Sequence, residues 1–391
     1  MKYKTVKDLD LKGKRVLVRV DYNVPIDDGE VGDTLRIEAS FETLNYLLGQ
    51  GCSLVLISSA GRPGGKVVPE LSLAPIAKKA AELLGKPIAF IPESVGPQAV
   101  AAAKALRPGD IMMLENLRFH EEEEANSPAF ARQLADLGEV YVDDAFANIH
   151  RKHASMVGIP EFLPGGIGFL VEKEIQHIGG ALDKPVRPLV AIIGGAKVST
   201  KIEVLDNLMK YVNKLVIGGA MANTFLAAQG HEVGKSKQDK DDYEIALRVI
   251  GDAQEVGVEM VLPEDVLVSK SVEKGPAKLV DIKEVGKDDY IVDLGPKTVA
   301  KMVNPLDFKG SVIWNGPLGI TEVPEFAKYT HLLAENIIES GAPCIVGGGD
   351  TAAFVDEAGL HDKFTWVSTG GGASLELMSG RELPGLEVLE A

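Results

Sequence analysis

The 391-residue chain carries 41 Lys and Arg against 57 Asp and Glu, a formal charge of −16, and 45% of its residues are hydrophobic. Its length implies two cores rather than one, and its acidity argues against a nucleic-acid partner and makes any local cluster of arginines informative. With no signal-peptide pattern and no run of about 18 uninterrupted apolar residues, it reads as a soluble, cytoplasmic protein with no membrane contact.

The elements alternate between short β-branched runs and helix-length amphipathic stretches. The front half gives strands at RVLVRV (15–20), SLVLIS (53–58), PIAFI (87–91), DIMMLEN (110–116) and EVYVDDAF (139–146). Between them, TLRIEASFETLNYLLGQG and SPAFARQLADLG read as helices, the second with a serine cap and proline at its first position. Next, GFLVEKEIQHIGGALDKPVRP (168–188) reads as a connecting helix closed by Gly179-Gly180, followed by two prolines and a hinge. The back half gives PLVAIIGG (188–195), KLVIGG (214–219), VEMVLP (258–263), SVIWNG (311–316), PCIVGGG (343–349) and FTWVSTGGG (364–372). Strands apolar on both faces and separated by helices imply parallel sheets covered on both sides. The expectation is two doubly wound α/β domains: 1–170, a connecting helix and hinge at 171–187, and 188–370. Cys52 and Cys344 lie inside apolar runs and read as buried thiols in a reducing compartment. The seven histidines have no zinc-ligand spacing.

In open α/β sheets, ligands bind beyond the carboxyl ends of the strands. In the front half these positions collect arginines: Arg62 after the second strand, Arg118 after MMLEN and Arg151 after the fifth, with Arg36 opening the first helical stretch. Guanidinium forks match phosphate and carboxylate oxygens bidentately, so the four together read as a site for an anionic small molecule. Asp21 and Asn23, directly after the first strand, read either as hydroxyl ligands or as an Asx-type turn. The HEEEEAN run (120–126) reads as a solvated helix approach and receives no function.

The back half collects glycine turns. GGAKVSTK (194–201) follows a strand and opens a helix, with Lys197 and Lys201 one turn apart. It is neither a Walker loop nor GxGxxG, yet it has the parts of a phosphate cradle. IGGAMANTF (217–225), WNGPLGITE (314–322), VGGGDT (346–351) and STGGGAS (368–374) are further glycine junctions after strands. Asp350 reads either as a magnesium ligand or as an N-cap. One domain suited to nucleotide phosphates and another to a small anion, joined by a hinge, point to phosphoryl transfer.

RVDYNVP, GRPGG, ENLRFH, DDAFANIHRKHAS, IIGGAKVSTKI, WNGPLG, GGGDT and STGGGASLE occur in the order found in phosphoglycerate kinases, which the chain resembles over essentially its whole length. The resemblance implies transfer of a phosphoryl group from 1,3-bisphosphoglycerate to MgADP, giving 3-phosphoglycerate and MgATP, by hinge closure. Because the nucleophile of the reverse direction is an ionised carboxylate, no general base is needed, in keeping with the absence of a His-Asp or Ser-His arrangement. The resemblance places phosphoglycerate on Asp21, Asn23, Arg36, Ser59, Arg62, Arg118 and Arg151. It makes Arg36, Lys197 and Gly349 catalytic. It places the nucleotide on Gly195, Ala196, Lys197, Lys201, Gly218, Asn315, Pro317, Glu322, Gly348, Gly349, Asp350 and Thr351, with Mg2+ on Asp350. It also implies a monomer whose C-terminal tail, 371–391, returns to the first domain.

Two departures stand out. Ser59 occupies the place of the family's substrate-binding histidine in Ser-His-Leu-Gly-Arg-Pro, and Asn148 and Ile149 replace small residues before the His-Arg pair. One neutral hydrogen bond is worth roughly 0.5–1.5 kcal/mol, so the loss of the histidine is expected to weaken substrate binding by up to about tenfold. The expectation is therefore a working kinase. The alternative is a nucleotide-binding homologue with weakened turnover, and a nicotinamide-dependent dehydrogenase lacks its GxGxxG fingerprint.

Overall fold

In the computed structural model residues 3–27, 29–32 and 34–390 are described, so Met1, Lys2, Asp28, Asp33 and Ala391, inside the expected domain ranges, lie outside the described residues. The chain divides into two compact units, Met1–Ile175 with Glu382–Ala391, and Gln176–Arg381.

The first unit is built on six parallel strands: β1 Arg15–Val20, β2 Ser53–Ile57, β3 Ala89–Ile91, β4 Ile111–Leu114, β5 Val140–Asp144 and β6 Gly165–Ile167, in the order β3-β4-β2-β1-β5-β6. β2, β4 and β5 are buried along their whole length, as strands covered on both faces must be. The long helical stretch after β1 is broken into Leu35–Glu38 and Phe41–Gly49. The break falls at Ser40, whose hydroxyl donates back to the Ile37 carbonyl at 2.8 Å and meets the Tyr22 hydroxyl at 2.7 Å, offering the backbone a competing partner. In Pro128–Ala135 proline takes the first position as read, but the Ser127 side chain makes no cap bond.

The second unit has its own six-stranded parallel sheet and a smaller antiparallel one. Their strands are β7 Leu189–Ile193, β8 Lys214–Ile217, β9 Glu259–Val261, β10 Asp265–Ser269, β11 Ala277–Asp281, β12 Tyr290–Leu294, β13 Ser311–Asn315, β14 Cys344–Gly347 and β15 Trp366–Val367. The parallel order is β9-β8-β7-β13-β14-β15, and β10 pairs with β11 and β12 in the antiparallel sheet. Trp314 on β13 is fully buried in the core of this unit. Both cysteines are free and buried.

The connecting helix runs unbroken through its two glycines, from Phe169 to Asp183. Gly180 still accepts the Lys184 N–H at 3.0 Å. Buried Ile178 and Leu182 on either side of the glycines supply packing that outweighs the roughly 1 kcal/mol propensity cost of each glycine. The chain passes from the first unit to the second within this helix. The segment returning to the first unit begins at Glu382 rather than 371. The preceding helix, Gly372–Met378, is tied into the second unit by a 2.6 Å bond from Asn207 Nδ2 to the Met378 carbonyl.

Candidate functional site

In the first sheet the chain winds from β1 through β2, β3 and β4 on one side of β1 and then crosses from β4 to β5 on its other side, which makes the carboxyl edge between β1 and β5 the topological switch point. The loops there are sewn to one another. Buried Asn116 receives the Ala60 N–H and the Arg118 N–H and donates to the Ala60 and Leu71 carbonyls, pinning the turn after β2 to the turn after β4. Ser58 Oγ accepts the Tyr22 N–H and donates to the Val20 carbonyl, pinning the turn after β2 to the end of β1.

On this frame the expected ligands fall into three groups. Asp21, Asn23, Arg36 and Arg118 interlock. Asp21 pairs with Arg36 at 2.7 Å and receives Asn148 Nδ2 at 3.0 Å. Asn23 Oδ1 accepts the Gly61 N–H at 2.9 Å. Arg118 donates to the Gly61 carbonyl at 2.8 Å and lies 3.5 Å from both Asn148 Oδ1 and a Glu124 oxygen. Asn148, one of the two departures, thus bridges Asp21 and Arg118. Arg62 and Arg151 are exposed and carry no ion pair among the described residues, so their forks face solvent. Ser59 belongs to neither group: it is 1% exposed, and its hydroxyl accepts from Arg19 at 2.9 Å.

Four neighbours were not read as site residues. Arg19 is fully buried inside β1. Its signal was visible, a charge in the middle of an otherwise apolar strand. Glu123 is also fully buried, against the expectation that its acidic run is solvated. Burial pushes His150 down to about 4 and His153 down to about 3, with neighbouring arginines adding to both shifts. Both imidazoles are neutral at pH 7 and add no charge to the arginines.

In the second unit the switch point lies between β7 and β13. The turns after these strands approach so closely that a Cβ on Gly194 would sit 2.1 Å from the Pro317 carbonyl oxygen, and one on Gly316, at φ +97°, 2.3 Å from the Gly194 oxygen. Only glycine fits at either place. Thr351 Oγ accepts the Gly316 N–H at 2.7 Å and ties in the turn after β14. Gly348 precedes the helix Gly349–Glu357, with Asp350 exposed in its first turn and making no cap bond, so the N-cap reading of Asp350 fails. Gly218 precedes the helix Gly219–Ala228, which adds a second helix N-terminus at this edge.

Lys197 and Lys201 do not share a helical face. The helix starts only at Ile202, after a turn. Lys201 reaches inward to Asn315 Oδ1 at 2.8 Å, whereas Lys197 turns outward to Asp239 at 3.0 Å. Burial lowers Lys201 to about 8, partly offset by the Asp350 carboxylate. Asn315 Nδ2 is buried without an acceptor, and it lies 3.1 Å from the position a Cβ on Gly348 would take. A cavity of ≈ 570 Å³ opens here, lined among others by Gly195, Ala196, Pro317, Glu322 and Asp350. The antiparallel sheet, absent from the sequence reading, adds Tyr290 and Asp293 to its wall. A second cavity of ≈ 580 Å³ in this unit, lined by His231, Met260 and Lys283, includes none of the glycine turns.

The family model described as phosphoglycerate kinase matches residues 6–381. The chain is 47% identical over 395 residues to a phosphoglycerate kinase of Dictyoglomus turgidum, covering all of both chains. It is 48% identical to one of Moorella thermoacetica, covering 98% of each. Among solved structures, phosphoglycerate kinase from Coxiella burnetii superposes with a TM-score of 0.88 at 37% identity, covering 99% of this chain and 98% of that one. The enzyme from Pyrococcus horikoshii gives 0.86 at 29%, covering 98% of each.

Proposed function

The chain belongs to the phosphoglycerate kinase family, and on that premise we propose how its residues divide the reaction. The enzyme is a phosphotransferase with a carboxyl acceptor, moving a phosphoryl group between 1,3-bisphosphoglycerate and ADP. The first unit takes the phosphoglycerate: Arg62 and Arg151 offer unpaired forks to its phosphate, and Arg118 closes the anion site. Asp21 and Asn23 hold hydroxyls beside Arg36. The second unit takes the nucleotide on the turns at Gly195-Ala196, Gly218, Pro317 and Gly348–Thr351, with Lys201 and Asn315 at the phosphates and Glu322 on the cavity wall. Arg36, Lys197 and the Gly349 N–H stabilise the transferring phosphoryl oxygens. To do so Lys197 leaves Asp239. Transfer requires the units to close while both substrates are bound.

The nucleophile of the reverse direction is a carboxylate already ionised at neutral pH, so catalysis is positioning and charge neutralisation. Among the described residues no group of three or more His, Cys, Asp or Glu could hold a metal on its own. A lone exposed Asp350 fits magnesium, which takes one or two carboxylates together with substrate phosphates. When bound with nucleotide the ion neutralises phosphate charge. A monomeric, cytoplasmic enzyme completes the proposal; among the described residues no helix is long and apolar enough to cross a membrane.

The observation that carries the division is the contrast between the two edges: unpaired guanidinium forks on one, glycine turns around a half-buried lysine and an unsatisfied amide on the other. A coupled assay for ATP formation from 1,3-bisphosphoglycerate and MgADP tests the function. Turnover is expected; nucleotide binding without ATP formation would instead favour the weakened homologue.

A further inference from the structure

Glu123 stands apart from the other glutamates of its run. Both carboxylate oxygens are taken by one residue: Ser155 N–H donates to Oε2 at 3.0 Å and Ser155 Oγ to Oε1 at 2.5 Å. The same Ser155 Oγ accepts Arg19 Nε at 3.0 Å, and the far end of Arg19 donates to Ser59 Oγ at 2.9 Å. Tyr141 fixes Ser155 from the other side, its hydroxyl donating to the Ser155 carbonyl at 2.8 Å.

The chain Glu123–Ser155–Arg19–Ser59 therefore joins four segments. Glu123 lies in the short helix Glu121–Glu124, which follows Arg118 after β4. Ser155 follows Arg151 in the loop after β5. Arg19 lies in β1, two residues before Asp21, and Ser59 opens the turn that carries Arg62. A buried guanidinium is costly unless it is paired and hydrogen-bonded. Arg19 faces two acidic side chains: Glu123, reached through one hydroxyl, and Asp143, which accepts the Ala145 N–H at 3.0 Å and which burial pushes up to about 7. Burial pushes Glu123 above the usual carboxylate range, while the charge of Arg19, the hydrogen bonds from Ser155 and the charge of Arg118 pull it back toward the ionised form, and His153 Nδ1 stands 3.8 Å from its Oε1.

We infer that Glu123 is a positioning residue for phosphoglycerate binding: through Ser155 and Arg19 it holds in place the loops that carry Arg62, Arg118 and Arg151, without touching substrate itself. Its carboxylate also offsets part of the repulsion among the arginines gathered at this edge. The inference rests on the reading that these arginines bind phosphoglycerate.

Glu123→Gln keeps the shape but removes the charge and leaves one acceptor oxygen where Ser155 uses two, so either the Ser155 N–H or its hydroxyl loses its acceptor. Ser155→Ala removes only the hydroxyl bridge and leaves the backbone bond to Glu123. Each is expected to raise KM for 3-phosphoglycerate about tenfold while KM for ATP stays within about twofold. The double variant should do no more damage than the worse single one, because both act along one path. A merely structural role would lower the thermal midpoint and the active fraction but leave the KM of the folded molecules unchanged. If Glu123→Gln fails to fold, Ser155→Ala alone decides. Arg151→Ala serves as the control. If it raises KM for 3-phosphoglycerate while Glu123→Gln and Ser155→Ala leave that KM alone, the inference falls and the site reading stands. If Arg151→Ala also leaves it alone, both fall.

Discussion

Lys201 gives the sharpest pH prediction. Burial lowers it from 10.5 to about 8, with the Asp350 carboxylate opposing the shift. On the proposed division of the reaction, the charged Lys201 ammonium attracts nucleotide phosphate beside its bond to Asn315; neutral, it would lose that attraction for the anion. The pH dependence of kcat/KM reports groups of the free enzyme, so kcat/KM for ATP at saturating 3-phosphoglycerate should show an alkaline limb near pH 8. At pH 9 a group with pKa 8 is roughly one-tenth protonated, so kcat/KM should fall about tenfold from its plateau, whereas a lysine at its ordinary value would lose only about 3%. Lys201→Arg should move the limb beyond the measurable range, because guanidinium does not deprotonate. Asp350→Asn should shift it to lower pH, because a charge favouring the ammonium is gone. A flat profile to pH 9.5 in the wild type, or a limb that survives Lys201→Arg, would refute the reasoning.

Three further outcomes follow from the geometry. Arg36→Ala should cut kcat about a hundredfold or more, while ATP affinity measured by calorimetry changes little; equal losses in both would contradict a phosphoryl-stabilising role. Gly316→Ala would place a Cβ 2.3 Å from the Gly194 oxygen at φ +97°, so the denaturation midpoint should drop by an amount corresponding to roughly 1–3 kcal/mol, with a raised KM for ATP; a neutral effect on both would mean the turns after β7 and β13 can separate freely. Burial raises Asp143 to about 7. The folded state therefore binds more protons than the unfolded one between the ordinary value of 3.8 and that value, and stability falls as pH rises through this window and levels off above it. Urea unfolding of Asp143→Asn should show a flatter profile from pH 4 to 7 than the parent, and an unchanged slope would contradict the burial argument.

Except for β6, whose three residues include Gly165 and Gly166 and show no apolar run, the two parallel sheets were legible because their strands read as apolar runs, and the arginine and glycine clusters because they follow such runs. The antiparallel sheet was not: β11 exposes Lys278 and Leu279 and leaves Val280 as its one buried residue, too little apolar pattern to stand out. The buried network was missed for a different reason. Whether a glutamate in HEEEEAN is solvated depends on Ser155 and Arg19, 32 and 136 positions apart from their partners in the hydrogen bonds that bury it. Ser59 was visible as a departure from the family pattern, but its hydroxyl partner, Arg19, lies on another strand. Lys197 and Lys201 looked like a helical pair because their spacing matches one turn, yet the helix starts only at Ile202, directly after Lys201, and includes neither.

The division of labour between the two units is the central claim, and steady-state kinetics of Arg151→Ala and Lys201→Ala, with 3-phosphoglycerate and ATP varied in turn, tests it most directly. Arg151→Ala should raise KM for 3-phosphoglycerate and spare that for ATP, and Lys201→Ala should do the reverse. Equal effects of either variant on both substrates, or the opposite pairing, would contradict the account.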